Sequence, residues 1–137
     1  MSYELVPIPY DKLMATAHVW APHVTKIAEV QRCFPEQRFT EVFSGEVGLM
    51  IVRKAGEIEP IALLGWRNLK RGNDRIAELI WLTGKDSKEW VHLYPVLEQH
   101  FRECGFAGMA TRHRPGWSKF LRNNGYKITH VEAEKDF

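Results

Sequence analysis

Residues 80–90 read Ile80-Trp81-Leu82-Thr83-Gly84-Lys85-Asp86-Ser87-Lys88-Glu89-Trp90, an apolar run that passes into a short polar loop. An amphipathic stretch follows, up to Cys104-Gly105-Phe106, and two further segments complete the pattern, Arg114-Pro115-Gly116-Trp117 and Asn124-Gly125-Tyr126. This order predicts a strand, a loop, a helix, a second strand and a short helix that ends in Gly-Tyr. A helical crossover returns the chain in the same direction, so we expect the two strands to pair in parallel.

The helix after the polar loop is predicted from five side chains on one helical face. They are spaced by four, three, four and three residues: Trp90, Tyr94, Leu97, Phe101 and Cys104. Asp86 and Glu89 resemble a capping box at its start, and Gly105 suits the left-handed position that closes a helix. Pro95 lacks a backbone N–H, so it should either kink the helix or mark where its regular part begins.

Three strands connected by short turns are predicted before this helix. They are Val47–Lys54, Ile61–Leu69 and Arg75–Leu82, and the turn residues between them favour an antiparallel meander. The other predicted elements are a strand at Glu4–Ile8, helices at Tyr10–Trp20, His23–Gln31, Glu36–Phe43 and Pro115–Asn124, and strands at Phe106–Thr111 and Lys127–Glu134. Pro22 should break the first helical region. Together these elements predict an α+β fold with a mixed sheet.

Composition indicates a globular protein. The chain has 137 residues, 45% of them hydrophobic and 26% charged, and we expect residues 1–137 to form a single domain. The net charge of +2 does not favour a nucleic-acid partner, and no apolar run reaches membrane-spanning length. The histidines and cysteines lack metal-ligand spacing, so we expect no metal. Cys33 and Cys104 should be buried free thiols in a reducing compartment, and no secretory signal is expected at the N-terminus.

From Arg75 to Phe137 the chain resembles the GCN5-related N-acetyltransferases, and it is more similar still to the small acetyltransferase-like proteins of tailed bacteriophages and prophages. The matching residues are Gly84, Asp86, Trp90, Arg114, Gly116, Trp117, Leu121, Gly125 and Tyr126. The first half matches in outline only, through the helix at residues 39–42 and the strand at residues 49–52. The resemblance implies the acyl-CoA N-acyltransferase fold, a central mixed sheet flanked by helices, and acetyl-CoA as the cofactor.

The resemblance places the cofactor at the loop formed by Leu82, Thr83, Gly84, Lys85, Asp86, Ser87 and Lys88. The family holds the CoA pyrophosphate on backbone N–H groups at a helix N-terminus, where unsatisfied donors and the helix dipole favour an anion. The usual pattern there is Arg/Gln-x-x-Gly-x-Gly/Ala. This chain keeps one glycine and adds the carboxylate of Asp86, for which Lys85 and Lys88 could compensate. The alternative interpretation is an ordinary polar loop that caps the helix.

The candidate catalytic groups are Glu78 and Ser118. The family commonly has a tyrosine general acid four residues before the glycine that ends the last helix, and that position is Leu121 here, which has no proton to donate. Ser118 is the nearby hydroxyl. Glu78 lies on the strand that leads to the loop and could take a proton from an amine through water. A surface ion pair with Arg or Lys is the alternative role for Glu78.

Two functions stay open from the sequence. One is acetyl-CoA-dependent N-acyl transfer to a small-molecule amine or a protein. The other is a catalytically silent protein of the same fold, which serves as a virion component or binds a host factor. The expected location is the cytoplasm of a host cell, or the virion if the protein is assembled into one, without a membrane partner. On the last helix, Trp117, Phe120 and Leu121 should face the core, while Arg114, Lys119 and Arg122 should form a basic surface for an acidic partner.

Overall fold

A five-stranded mixed sheet forms the centre of the computed structural model, which describes residues 2–84, 91–112, 117–129 and 133–137. The strands lie side by side in chain order: β1 Tyr3–Ile8, β2 Gly48–Lys54, β3 Pro60–Arg71, β4 Asp74–Gly84 and β5 Gly108–Thr111. Strands β1 to β4 pair antiparallel with their neighbours, whereas β4 and β5 pair in parallel. The predicted meander and the predicted parallel pair are both confirmed.

Two local features of the sheet follow directly from the sequence. The hairpin between β3 and β4 closes where Arg71 pairs with Asp74, which leaves Gly72 and Asn73 as a two-residue turn. Gly72 adopts a left-handed φ of 62°, which a glycine takes without a Cβ penalty. At the other side of the sheet, β1 is an edge strand and contains Pro7, whose missing N–H is tolerated at an edge.

The described residues form four α-helices and two 3-10 turns. The helices are α1 Ala17–Val30, α2 Pro35–Phe43, α3 Tyr94–Glu103 and α4 Ser118–Asn123, and the 3-10 turns are Tyr10–Lys12 and Val91–Leu93. Helix α2 confirms the prediction for this region. The predicted break at Pro22 is wrong, because Pro22 lies inside α1. Its ring faces solvent, and the fully buried Trp20 and Val24 on either side anchor the helix to the sheet.

Each face of the sheet packs against one pair of helices. The cluster under α3 and α4, which we call the α3 face, includes Met50, Val52, Ala62, Leu64, Ala77, Leu79, Leu97, Phe101 and Leu121. The cluster under α1 and α2, the α1 face, includes Trp20, Val24, Val42, Leu49, Ile51, Leu63 and Trp81. Leu63 and Leu64 are neighbours in β3 but belong to different clusters, as the alternation of strand side chains requires. The sheet is therefore buried on both faces.

The predicted helix after the polar loop differs from the observed one at both ends. Regular α-helix begins at Tyr94 with Pro95 in its first turn, so Pro95 marks the start of the helix rather than a kink. Residues 85–90, including Trp90, lie outside the described part of the chain. The prediction of a buried Cys104 is wrong, because its side chain is exposed. Helix α3 ends at Glu103 and Gly105 turns with a φ of 88°, which takes Cys104 off the buried face.

Two further predictions differ from the structure. The predicted strand Lys127–Glu134 is not formed at residues 127–129, and residues 130–132 lie outside the described part of the chain. Cys33 is half-buried rather than buried.

Candidate active site

Strands β4 and β5 pair at four positions, and no further pair follows among the residues that the structure describes. The last pair is Leu79 with Thr111, and the backbone N–H of Arg112 donates to the Leu79 carbonyl at 3.0 Å. Strand β4 continues to Gly84 and stays paired with β3. Over residues 80–84 the described part of β5 offers no partner, and residues 113–116, which follow it, lie outside the described part of the chain. We call the end of the β4–β5 pairing, beyond Leu79 and Thr111, the fork.

A β-bulge in β4 lies at the base of the fork. Gly65 pairs with Trp81 and Trp66 pairs with Leu79, so Ile80 has no partner in β3 and is the extra residue. A bulge bends its strand and re-aims the side chains that follow. Gly65 makes room for this geometry, because a Cβ there would lie 2.5 Å from the Trp81 ring. The sequence alone gave no signal for the bulge.

The end of β4 is where the sequence predicted cofactor binding. Leu82 and Thr83 are half-buried in the strand, and Gly84 closes it with a φ of 138°. A Cβ on Gly84 would lie 2.3 Å from the Ile61 carbonyl oxygen, so glycine is required where the chain leaves the sheet. The other four predicted cofactor residues, Lys85, Asp86, Ser87 and Lys88, lie outside the described part of the chain.

A cavity of about 660 Å³ lies beside the edge strand β5 and is lined by both predicted catalytic residues, Glu78 and Ser118. Glu78 alternates with Ala77 and Leu79 of the α3 face, so its side chain points to the opposite face of the sheet. Ser118 is the first residue of α4, which covers the α3 face. The cavity therefore extends around β5 from one face of the sheet to the other. Glu78 and Ser118 both line it, but they do so from opposite faces of the sheet.

The carboxylate of Glu78 is held by arginines. Its Oε1 accepts a hydrogen bond from Nε of Arg67 at 2.7 Å and lies 4.0 Å from Nη2 of Arg112. The Glu78 side chain is only 13% exposed. Arg67 is the cross-strand neighbour of Glu78, so the pair follows from the register of β3 and β4. This contact corresponds to the ion-pair role, and the role of Glu78 as a general base stays a prediction.

Helix α4 carries the position that the family resemblance associates with a tyrosine acid. Leu121 at this position is fully buried in the cluster on the α3 face. Trp117 and Phe120 pack against the same cluster, which confirms the predicted core-facing side of this helix. Lys119 and Arg122 are exposed, whereas Arg114 lies outside the described residues, so the docking role of this basic surface stays a prediction.

Two tyrosines for which the sequence predicted no catalytic role, Tyr94 and Tyr126, lie beside β5 on the α3 face. The Tyr94 hydroxyl shares a hydrogen bond with the Thr111 side chain, and the Tyr126 hydroxyl donates to Sδ of Met109 at 3.8 Å. Burial raises the pKa of Tyr94 above its ordinary value, and the carboxylate of Glu98 adds to this effect, while the bond to Thr111 opposes it. Burial likewise raises the pKa of Tyr126, again with help from Glu98. Both phenols therefore keep their protons at neutral pH.

Sequence reasoning missed the contact between Tyr94 and Thr111 because it joins residues that are distant in the chain. The helical spacing correctly placed the Tyr94 ring in the core, where it is 3% exposed. A tyrosine at a core position usually has a hydrogen-bond partner for its hydroxyl, so the sequence could have predicted that Tyr94 has one. Its partner could be named only once the position of β5 against α3 was known.

Comparison with known proteins identifies the architecture. No family model and no curated protein matches the chain. Solved structures do match over its whole length. The ribosomal-protein-alanine N-acetyltransferase from Brucella melitensis biovar Abortus 2308 superposes with a TM-score of 0.70 at 12% identity, covering 100% of both chains. The chain has the acetyltransferase fold.

Two further acetyltransferase structures superpose on this fold. An aminoglycoside N-acetyltransferase solved in complex with CoA gives a TM-score of 0.67 at 11% identity, covering 99% of this chain and 95% of that one. A GCN5-related N-acetyltransferase from Ralstonia eutropha JMP134 gives 0.64 at 15% identity, covering 98% and 99%. The predicted fold class is thereby confirmed.

None of the helices among the described residues is long and apolar enough to cross a bilayer. Within the same ranges, no three side chains of His, Cys, Asp or Glu lie close enough together to hold a metal ion.

Proposed function

We propose that this protein is an N-acyltransferase that takes its acyl group from acetyl-CoA. The observation that carries the proposal is the fork, where β4 stays paired with β3 over residues 80–84 but the described part of β5 gives it no partner on the other side. An acyl-CoA has a long arm with two amide groups, which can hydrogen-bond to a free strand edge much as a peptide does. The CoA complex of a structural neighbour supports the choice of ligand.

The residues around the fork fit such a ligand. The backbone of Ile80–Gly84 would hold the amides of the arm, and the loop that follows Gly84 would hold the phosphates through its N–H groups. Lys85 and Lys88 would offset the phosphate charge, and also the charge of Asp86. Bound acetyl-CoA supplies the acyl group already activated as a thioester. The protein's part is then to position the acyl donor and an amine, and to exclude water.

The acceptor in this proposal is a primary amine on a small molecule or a protein. Glu78 would take the proton that the amine loses, through a water molecule in the cavity. Arg67 keeps this carboxylate oriented, because Nε of Arg67 donates to Oε1 at 2.7 Å. The basic surface of Lys119 and Arg122 would attract an acidic protein acceptor or another acidic partner.

A catalytically silent role is the second candidate, and the burial of Leu121 favours it. The position that the resemblance associates with a proton donor holds a side chain with no proton to give, and Leu121 is 0% exposed. In this proposal the chain keeps the fold as a scaffold and acts as a virion component or as a binder of a host factor. Such a protein needs no acetyl-CoA.

Ligand-induced stabilisation separates the two candidates. A ligand present at 100 times its Kd stabilises a protein by about 2.7 kcal/mol, so saturating acetyl-CoA should raise the melting temperature by several degrees. The double variant Lys85→Glu/Lys88→Glu should melt like the unchanged protein without ligand and lose most of the shift. Lys12→Glu/Lys70→Glu, with the same charge change on exposed residues elsewhere, is the matched control. If acetyl-CoA causes no shift in the unchanged protein, the silent role is favoured.

A further inference from the structure

Basic side chains predominate among the charged groups of the cavity beside β5. Six of the residues that line it are charged, four of them basic and two acidic: Arg71, Arg102, Arg112, Lys127, Glu78 and Glu98. The Glu78 carboxylate already accepts a hydrogen bond from Nε of Arg67 at 2.7 Å and lies 4.0 Å from Nη2 of Arg112. All four basic residues are exposed, so their charged groups can reach a ligand. The cavity therefore favours a negatively charged occupant.

The backbone of β5 forms one wall of this cavity. All four residues of the strand line it, and β5 is the last strand of the sheet among the residues that the structure describes. The N–H of Arg112 donates to the Leu79 carbonyl of β4 at 3.0 Å. Because neighbouring residues of a strand direct their N–H groups to opposite sides, that of Thr111 points to the outer edge. Such an edge can pair with one more extended chain.

Small side chains on β5 leave room for that chain. Gly108 and Ala110 alternate with Met109, which packs on the α3 face, so both lie on the opposite face of the sheet. A Cβ on Gly108 would meet only Cδ1 of Ile76, at 3.4 Å. Glycine within a strand is typical of places where another backbone approaches closely.

The other walls of the cavity come from α3 and from the chain around the end of α4. They supply the apolar side chains of Phe101, Leu121 and Ile128. The volume of about 660 Å³ lies in the range of about 300–1,000 Å³ that is usual for ligand pockets. The cavity thus combines a strand edge, apolar walls and an excess of positive charge.

We propose that the outer edge of β5 binds an extended acidic segment of a partner protein, which adds a sixth strand to the sheet. The backbone of the segment pairs with β5, and its carboxylates lie against Arg71, Arg102, Arg112 and Lys127. The site differs from the basic surface of Lys119 and Arg122 on α4, since neither of these two residues lines the cavity. This role goes beyond the proposed function, because it needs no acyl-CoA.

Peptides of defined charge and backbone test this proposal. The probe is a fluorescein-labelled hexapeptide of alternating glutamate and valine, in which valine favours an extended chain, and fluorescence anisotropy measures its binding. The protein should bind this peptide at low salt and lose affinity as salt is added. A peptide with lysine in place of glutamate should bind at least about tenfold more weakly. Methylation of the peptide nitrogens keeps the carboxylates but removes the donors that pair with β5, so it should weaken binding about tenfold or more.

Variants locate the bound peptide. Arg102→Glu/Lys127→Glu should weaken the acidic peptide by about tenfold or more and should bind the lysine peptide more tightly than the unchanged protein does. Lys119→Glu/Arg122→Glu makes the same charge change on α4 and is the matched control, which should bind both peptides as the unchanged protein does. All four residues are exposed, so both variants should melt close to the unchanged protein.

Three results would overturn the proposal. The first is that the acidic peptide does not bind at low salt. The second is that the α4 variant weakens its binding while the cavity variant does not, which would place the peptide on α4. The third is that the methylated peptide binds as tightly as its parent, which would show an anion-binding surface without strand pairing. None of these results bears on acetyl-CoA, whose effect on the melting temperature tests the proposed function separately.

Discussion

At the scale of single residues, burial and local partners decide what the side chains beside β5 can do. Tyr94 and Tyr126 lie on the α3 face with Glu98 nearby, and burial raises the pKa of both phenols. On the opposite face, Glu78 is held by Arg67. Beside β5, the α3 face of the sheet therefore carries the neutral hydroxyls of Tyr94 and Tyr126, and the opposite face carries the ion-paired carboxylate of Glu78.

The raised pKa of the two phenols predicts a loss of stability in alkali. A phenol with a raised pKa in the folded state contributes stability that is fully present below its unfolded pKa of about 10 and is lost as the pH rises above it. Urea unfolding between pH 9 and pH 11 should show this decline. Tyr126→Phe should decline less steeply than the unchanged protein. Equal slopes for Tyr126→Phe and the unchanged protein would contradict the prediction.

The ion pair of Glu78 should contribute measurably to stability. Glu78→Gln keeps the shape but leaves Arg67 facing a neutral amide, and we expect a loss of about 1 kcal/mol, since Arg67 is 34% exposed and solvent weakens the pair. Urea unfolding at pH 7 measures it, with Glu57→Gln in an exposed turn as the control. A double-mutant cycle with Arg67→Gln should recover most of this loss as coupling. Additive losses would show that the pair is not the cause.

At the scale of elements, the β-bulge in β4 depends on Gly65. A Cβ at this position would lie 2.5 Å from the Trp81 ring, and strand pairing leaves the backbone no room to move away. We predict that Gly65→Ala destabilises the protein by about 1–3 kcal/mol, the usual cost of overpacking a core. Gly108→Ala in β5 is the matched control, because its Cβ would meet only the end of the Ile76 side chain at 3.4 Å. Similar stabilities for the two variants would mean that Gly65 is not required by packing.

Substitutions on the buried side and on the exposed side of α4 should have different effects on stability. Trp117 is half-buried and packs on Tyr94, so Trp117→Ala should destabilise the fold by about 2 kcal/mol. Lys119→Glu/Arg122→Glu should leave stability nearly unchanged, because both side chains are exposed. Thermal and urea unfolding compare the two variants. If the charge reversal is the more damaging change, the outer side of α4 has a structural role.

The sequence predicted most elements because their signals are local. Alternating strand residues and the Gly72-Asn73 turn located the meander, and the helical spacing from Tyr94 to Phe101 located α3. Errors arose where tertiary contacts override a local rule. Pro22 remains helical because Trp20 and Val24 anchor α1 on both sides of it. A local sequence pattern cannot show that such tertiary contacts offset the cost of a proline inside a helix.

At the scale of the whole molecule, the order of the strands creates the candidate site. The crossover helix α3 brings β5 parallel to β4, and β5 is seven residues shorter than β4, with four residues against eleven. Within the described residues, β5 therefore gives the end of β4 no partner, although β3 stays paired with it, and this is the fork. The resemblance places cofactor binding at the loop after Gly84, which follows this strand, and that location stays a prediction.

The chemistry of the site could be predicted only in part. Glu78 and Ser118 were selected from the sequence, and the structure places both at one cavity. Their positions on opposite faces of the sheet follow from strand alternation and from the packing of α4. Tyr94 and Thr111 lie on helix α3 and strand β5, which are separated by the turn at residues 104–107, so no local pattern reports their contact. It became visible only through the fold.

The central claim is that the fork binds an acyl-CoA, and backbone hydrogen exchange tests it most directly. In the presence of saturating acetyl-CoA, the account predicts slower exchange at the amides of Ile80–Gly84 that face away from β3, because the ligand would satisfy that edge of β4. The edge strand β1, Tyr3–Ile8, should exchange at the same rate with and without the ligand. Unchanged exchange at residues 80–84, or protection confined to another part of the protein, would contradict the account.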